Sequence, residues 1–201
     1  MKHIFTSVAL VGMSTSGWAS GHSMEETPSY NNLQVQYLSS DNLSSGRLMM
    51  QSTLAGSDFF VDAYVASGSG KQLLAGSMLR GAYADLGYKL RVGPGDLNFT
   101  VGYAQQQLSG GINEGYGSDV VLGLAWRQKL NEVWEYSLMY QHWNGTFTFP
   151  IAKVANDVDG VYGELKYHFW RKTFLSLAYQ NAHTSGSGTE STWCLGVGYN
   201  F

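Results

Sequence analysis

From Leu33 to the last residue, Phe201, large apolar side chains recur at every second position, and this period of two is the tightest constraint on what the chain can fold into. Helices return apolar residues every third or fourth position, whereas strict alternation places them on one face of an extended strand. The final segment is the plainest case. Trp193, Leu195, Val197, Tyr199 and Phe201 share one face, and Thr192, Cys194, Gly196, Gly198 and Asn200 share the other. Val161, Leu165, Tyr167 and Phe169 alternate in the same way with Tyr162, Glu164, Lys166 and His168, and Trp134, Tyr136, Leu138 and Tyr140 with Glu135, Ser137, Met139 and Gln141. Further segments run through Leu33 to Tyr37, Leu48 to Leu54, Phe59 to Val65, Ala82 to Val92, Leu97 to Tyr103, Val120 to Trp126 and Leu175 to Tyr179.

Connections between these segments come in two lengths. Tight ones lie at Ala55–Asp58, Gly93–Asp96, Leu130–Glu132 and Trp170–Thr173; longer polar ones lie at Ser39–Gly46, Gly68–Leu74, Ser109–Ser118, Gly145–Asp159 and His183–Glu190. Short turns on one rim and longer loops on the other characterise transmembrane barrels. The interleaving predicts about ten antiparallel strands in an all-β, closed transmembrane β-barrel. Eight strands follow instead if the region from Gly46 to Ser67 forms one bent strand.

A soluble sandwich or lipocalin-like barrel shows the same alternation with its apolar face turned inward, so other features must separate the two. Only 13% of the residues are charged, whereas a soluble surface carries roughly a quarter to a third. Aromatic residues gather near the strand ends, with Phe59, Trp126, Trp134, Phe169 and Phe201 towards one rim and Tyr103, Tyr140, Tyr179 and Trp193 towards the other, as two interfacial girdles would require. The alternating run from Trp193 through Leu195, Val197 and Tyr199 to Phe201 resembles the C-terminal recognition signal of outer-membrane barrels. In that group the last residue is typically phenylalanine, preceded at every second position by an aromatic or aliphatic residue. The resemblance to small Gram-negative, porin-like outer-membrane barrels implies a location in the cell outer membrane. It also implies contact with outer-membrane lipids and lipopolysaccharide, and delivery by periplasmic chaperones to the barrel assembly machinery.

The N-terminus fits this destination. Met1-Lys2-His3 precedes an apolar stretch from Ile4 to Met13 and then small residues up to Ala19, the layout of a secretory signal peptide with cleavage after Ala19. The apolar stretch falls short of the roughly 20 residues that a membrane-spanning helix needs. The expected organisation is a signal peptide over 1–19, a short periplasmic segment over 20–29 and a barrel over 30–201. Cys194 is the only cysteine, so no intramolecular disulfide can form. A net charge of -3 with no basic run argues against a nucleic-acid partner, and a monomer is expected.

With the apolar faces turned to lipid, the opposite faces supply a lumen. The charged candidates there are Asp62, Asp85, Lys89, Arg91, Arg127, Glu135, Glu164, Lys166 and His168, accompanied by Gln34, Gln36, Gln51, Asn98 and Gln141. Small barrels fill their interior with side chains, and charges taken from water must be paired. The expectation is therefore a closed polar core in a protein of structural, adhesive or loop-mediated binding role, without enzymatic activity. A narrow path for ions or small solutes is the alternative, and a wide general pore is not expected, since such pores use 16 to 18 strands. His183, Ser185 and Glu190 form the one candidate catalytic set, as base, nucleophile and orienting carboxylate. They resemble the His-x-Ser pair and final-strand Glu of the lipid A 3-O-deacylases, small outer-membrane barrels, although the Ser-to-Glu gap is much shorter here. His142, His168 and His183 show no ligand spacing, so neither a metal nor a cofactor is expected.

Overall fold

A computed structural model describes residues 28, 30–110, 114–170, 172–185 and 188–201. The expected leader over 1–19 and most of the segment over 20–29 lie outside the described residues. Ten strands run in chain order: β1 (Asn32–Ser39), β2 (Leu43–Thr53), β3 (Phe59–Gly70), β4 (Met78–Val92), β5 (Gly95–Ser109), β6 (Gly115–Lys129), β7 (Trp134–Phe149), β8 (Ala152–Trp170), β9 (Thr173–Thr184) and β10 (Gly188–Asn200). Each pairs antiparallel with its neighbours, and β10 pairs with β1 to close the sheet. The eight-strand alternative fails because Leu54–Asp58 is a true reversal: β2 and β3 pair from Leu43↔Gly70 down to Thr53↔Phe60.

The strands are strongly tilted. Partners followed sideways from Asn32 run through Gln51, Asp62, Asp85, Gly102, Val121, Trp143, Val158 and Thr184 to Gly188. Asn32 itself pairs with Asn200, at the opposite end of β10. That offset is the stagger a closed barrel needs. Among the described residues no helix is long and apolar enough to cross a membrane; crossing is by strands, whose backbone groups pair with both neighbours in a sheet that closes on itself.

The residues assigned to the apolar face are the ones that point outward. Leu33, Val35, Leu86, Val101, Leu122, Leu138, Val161, Leu177, Leu195 and Val197 are exposed, while their alternates are buried. Turn chemistry agrees with the short rim: the β4–β5 reversal is two residues long, and Gly93 takes φ 57°, a left-handed value that suits glycine at such a hairpin.

The other rim departs from the expectation. Gly145–Asp159 is not a loop. β7 and β8 continue to pair as far as Phe149↔Ala152, with the reversal confined to Pro150 and Ile151. β9 leaves β8 at Val158↔Thr184, so this hairpin stands above its neighbour on that side.

Candidate functional site

Inside the barrel the side chains sort into two halves. At the rim of the short turns the lining is polar, and its centre is an ion pair in which both Nε and Nη2 of Arg127 (β6) lie 2.6 Å from Glu135 Oε1 (β7). Both side chains are fully removed from solvent, where a charge-assisted, two-pronged contact is the arrangement that tolerates burial. Lys166 faces Glu135 across the β7–β8 pairing and lies 3.5 Å from Glu164, while His168 Nε2 lies 3.7 Å from Glu135 Oε2. Contacts then cross the lumen: Gln34 Nε2 donates to Glu164 at 3.3 Å and to Ser176 at 2.6 Å, Gln36 donates to Glu164, and Arg47 donates to Gln36.

Tyr30, just ahead of β1, enters this half from below. Its hydroxyl donates to Asn98 at 2.8 Å and contacts Asp96 at 3.1 Å, and its ring lies under the Arg127 guanidinium at 4.7 Å. The ring also packs on Phe60 at 4.9 Å. Phe60 and Phe174 fit because the strands beside them carry glycine: a Cβ on Gly87 would lie 2.1 Å from the Phe60 ring, and one on Gly198 2.1 Å from that of Phe174.

Of the nine charged residues expected in the lumen, seven point inward and are buried or nearly so: Asp62, Asp85, Arg127, Glu135, Glu164, Lys166 and His168. Lys89 and Arg91 lie at the mouth instead, Lys89 half-exposed over the Tyr30 ring and Arg91 exposed beside Asp96 at 3.4 Å. The reason is position along β4: both fall within the last turnward residues, where the wall meets water. Asp62 and Asp85 face each other across β3 and β4. Tyr83 donates to Asp85 at 2.5 Å.

The other half of the lumen holds a large apolar cluster, which the expectation of a polar core did not foresee, beside a buried Asp119 that accepts from Gln106 at 3.1 Å and from Asn156 at 2.7 Å. Trp143, Tyr83, Tyr64, Phe147, Leu79, Leu108, Val121 and Val158 form one buried cluster there. Tyr83 stacks between Tyr64, at 5.1 Å, and Trp143, at 5.9 Å. The signal was present in the alternation, since Tyr83 and Val121 sit on the nominally wet faces; what alternation cannot show is that the inward positions of neighbouring strands meet at one level.

His183, Ser185 and Glu190 are not brought together. His183 and Ser185 face outward, and His183 Nδ1 contacts Thr189 at 3.1 Å; Glu190 faces the lumen and accepts from Ser40 Oγ at 2.6 Å. Register explains the separation, because Glu190 pairs with Ala182 and Thr189 with His183, which puts the carboxylate and the imidazole on opposite faces of the sheet. On the outer wall, His142 and His183 instead flank Asp159 from either side, an approach that their spacing in sequence did not reveal. Trp193, Leu195, Val197, Tyr199 and Phe201 all point outward on β10 and beyond its end.

No family model matches the sequence, and no curated protein does. Solved structures do. An outer-membrane channel from Pseudomonas putida F1 superposes with a TM-score of 0.56 at 9% identity, over 90% of this chain and 100% of that one. A KdgM porin solved with disordered oligogalacturonate gives 0.41 at 15% identity over 85% and 99% of the two chains, and Neisserial surface protein A gives 0.44 at 10% over 86% and 96%. The closed sheet, its outward apolar face and the likeness to the Pseudomonas protein agree: the chain has the fold of an outer-membrane β-barrel.

Proposed function

We propose that the protein is an outer-membrane barrel closed to bulk solute, which acts through its extracellular rim as a structural or binding element of the envelope. Export by the leader over 1–19 and recognition of the Trp193–Phe201 strand by the assembly machinery belong to this reading. One observation carries it: the lumen is filled from end to end by large side chains. Tyr30, Phe60 and Phe174 at one end, Arg47 between, and Trp143 and Phe147 at the other are each no more than 2% exposed. Planar-bilayer recordings of the refolded chain test it, and the expected trace is silent. Sustained unitary steps from the wild-type chain would overturn it.

A narrow path for ions or small solutes is the second reading, favoured by the polar half of the lumen. Both carboxylate oxygens of Asp62, Nε and Nη1 of Arg47 and both amide atoms of Gln180 are buried in the lumen without a hydrogen-bond partner among the described residues. Such groups call for water. Under this reading the aromatic cluster is a gate, and a Trp143→Ala, Phe147→Ala double variant gives steps where the wild type gives none.

A further inference from the structure

Where the apolar belt of the outer wall gives way to polar residues, three adjacent strands gather imidazoles and carboxylates on one face. His142 on β7 lies directly opposite Asp159 on β8, and Asp159 lies directly opposite His183 on β9. Asp157 follows on the same face of β8, opposite Asn144. His142 Nδ1 is 3.1 Å from Asp159 Oδ1 and 3.8 Å from Asp157 Oδ1, and one ligand atom from each of the three residues lies within 4.8 Å of the others. A tetrahedral zinc ion with bonds of about 2.0–2.1 Å places its ligand atoms about 3.3 Å apart. The two histidine distances bracket that value, so a metal could enter by rotamer adjustment, without movement of the strands.

The surroundings hold the donors in place. Ser185 N–H donates to the Asp157 carbonyl at 3.0 Å, which extends the β8–β9 pairing and fixes His183 beside Asp159. His183 reaches Thr189 through Nδ1, which orients its ring and leaves Nε2 as its donor atom, the second-sphere arrangement usual for a metal-bound histidine. Tyr140 donates to Asp159 from below.

We propose that His142, Asp157 and Asp159, with His183 as a fourth donor from the next strand, form a binding site for a divalent transition metal of the zinc class. Imidazole nitrogens combined with carboxylates select such an ion over calcium or magnesium, which prefer oxygen alone. The site lies on the outer wall and is independent of whether the lumen conducts.

Titration calorimetry of zinc chloride into the refolded, untagged full chain in detergent tests the proposal, with calcium chloride as comparison. One zinc per chain is expected, with at least tenfold weaker binding in His142→Ala and in Asp159→Asn, a smaller loss in His183→Ala and no change in Asp41→Asn. Each variant should keep the heat-modifiable gel mobility of a folded barrel, because these side chains face away from the lumen. Zinc binding that is unchanged in the His142→Ala, Asp159→Asn double variant, calcium binding as tight as zinc, or no zinc binding at all would overturn it.

Discussion

A charged side chain on the inward face of this barrel has given up water on every side, so its stability depends on what the neighbouring strands offer. Arg127 and Glu135 are the clearest pair, in contact through two nitrogens and flanked by Lys166 and His168. Glu135→Ala is expected to cost about 3–5 kcal/mol in urea-unfolding experiments, because it strands a buried guanidinium. Replacing both partners, as Arg127→Met with Glu135→Leu, should recover most of that loss, since an apolar pair has no desolvation to offset. Equal destabilisation in the single and double variants would mean the pair is not the unit of stability. At this scale the sequence was legible in kind and illegible in partnership. Alternation identified Arg127, Glu135, Glu164 and Lys166 as inward, but the contact of Gln34 with Glu164 joins strands far apart in the chain, and only the stagger of the closed sheet decides that they meet. The same register divides His183 from Glu190, which sequence proximity had put together.

Among the elements, the β7–β8 hairpin shows where alternation stops being informative. Between Gly145 and Asp159 the alternation changes sense, with Phe147, Val154 and Val158 turned inward and Asp157 and Asp159 on the outer face, which reads as a loop to a search for outward apolar residues, yet backbone pairing runs on to Phe149↔Ala152. Alternation records the contrast between lipid and lumen. Once a hairpin rises above the bilayer its outer face meets water, the outward apolar residues that mark a crossing strand disappear, and the ladder of hydrogen bonds persists without them. The short turns were read correctly because their chemistry is local, as at Gly93. The hairpin also offers a topology test, since the one native cysteine, Cys194, is buried in the lumen. Ile151→Cys at the tip should react with a membrane-impermeant maleimide on intact cells. Leu130→Cys, in the opposite turn, should react only after the outer membrane is permeabilised. The reverse pattern would invert the barrel and with it the assignment of the rims.

For the molecule as a whole, the outward apolar wall implies a depth-dependent response to charge. Val197 lies midway between Trp193 and Phe201 on the outward face of β10. Val197→Arg should therefore destabilise the barrel in lipid by about 2–4 kcal/mol, while Ser191→Arg, beyond the aromatic rim, should cost about 0–1 kcal/mol. Equal effects at the two depths, measured by unfolding from liposomes, would contradict a membrane-spanning wall. Strand number, face and closure were legible because each depends on a repeated pattern that many residues share. The apolar cluster around Trp143 was not, because it depends on height along tilted strands. The closure of β1 on β10 has a kinetic consequence. Phe201 N–H donates to the Asn31 carbonyl at 3.2 Å, so the first and last strands are joined only when the end of the chain arrives. Until then every partly built sheet has two raw borders that hydrocarbon cannot satisfy. In a bare bilayer, with nothing to cover those borders, the sheet must close before it enters, and a chain shortened by its last strand is expected to leave an open edge that can pair with another copy of itself.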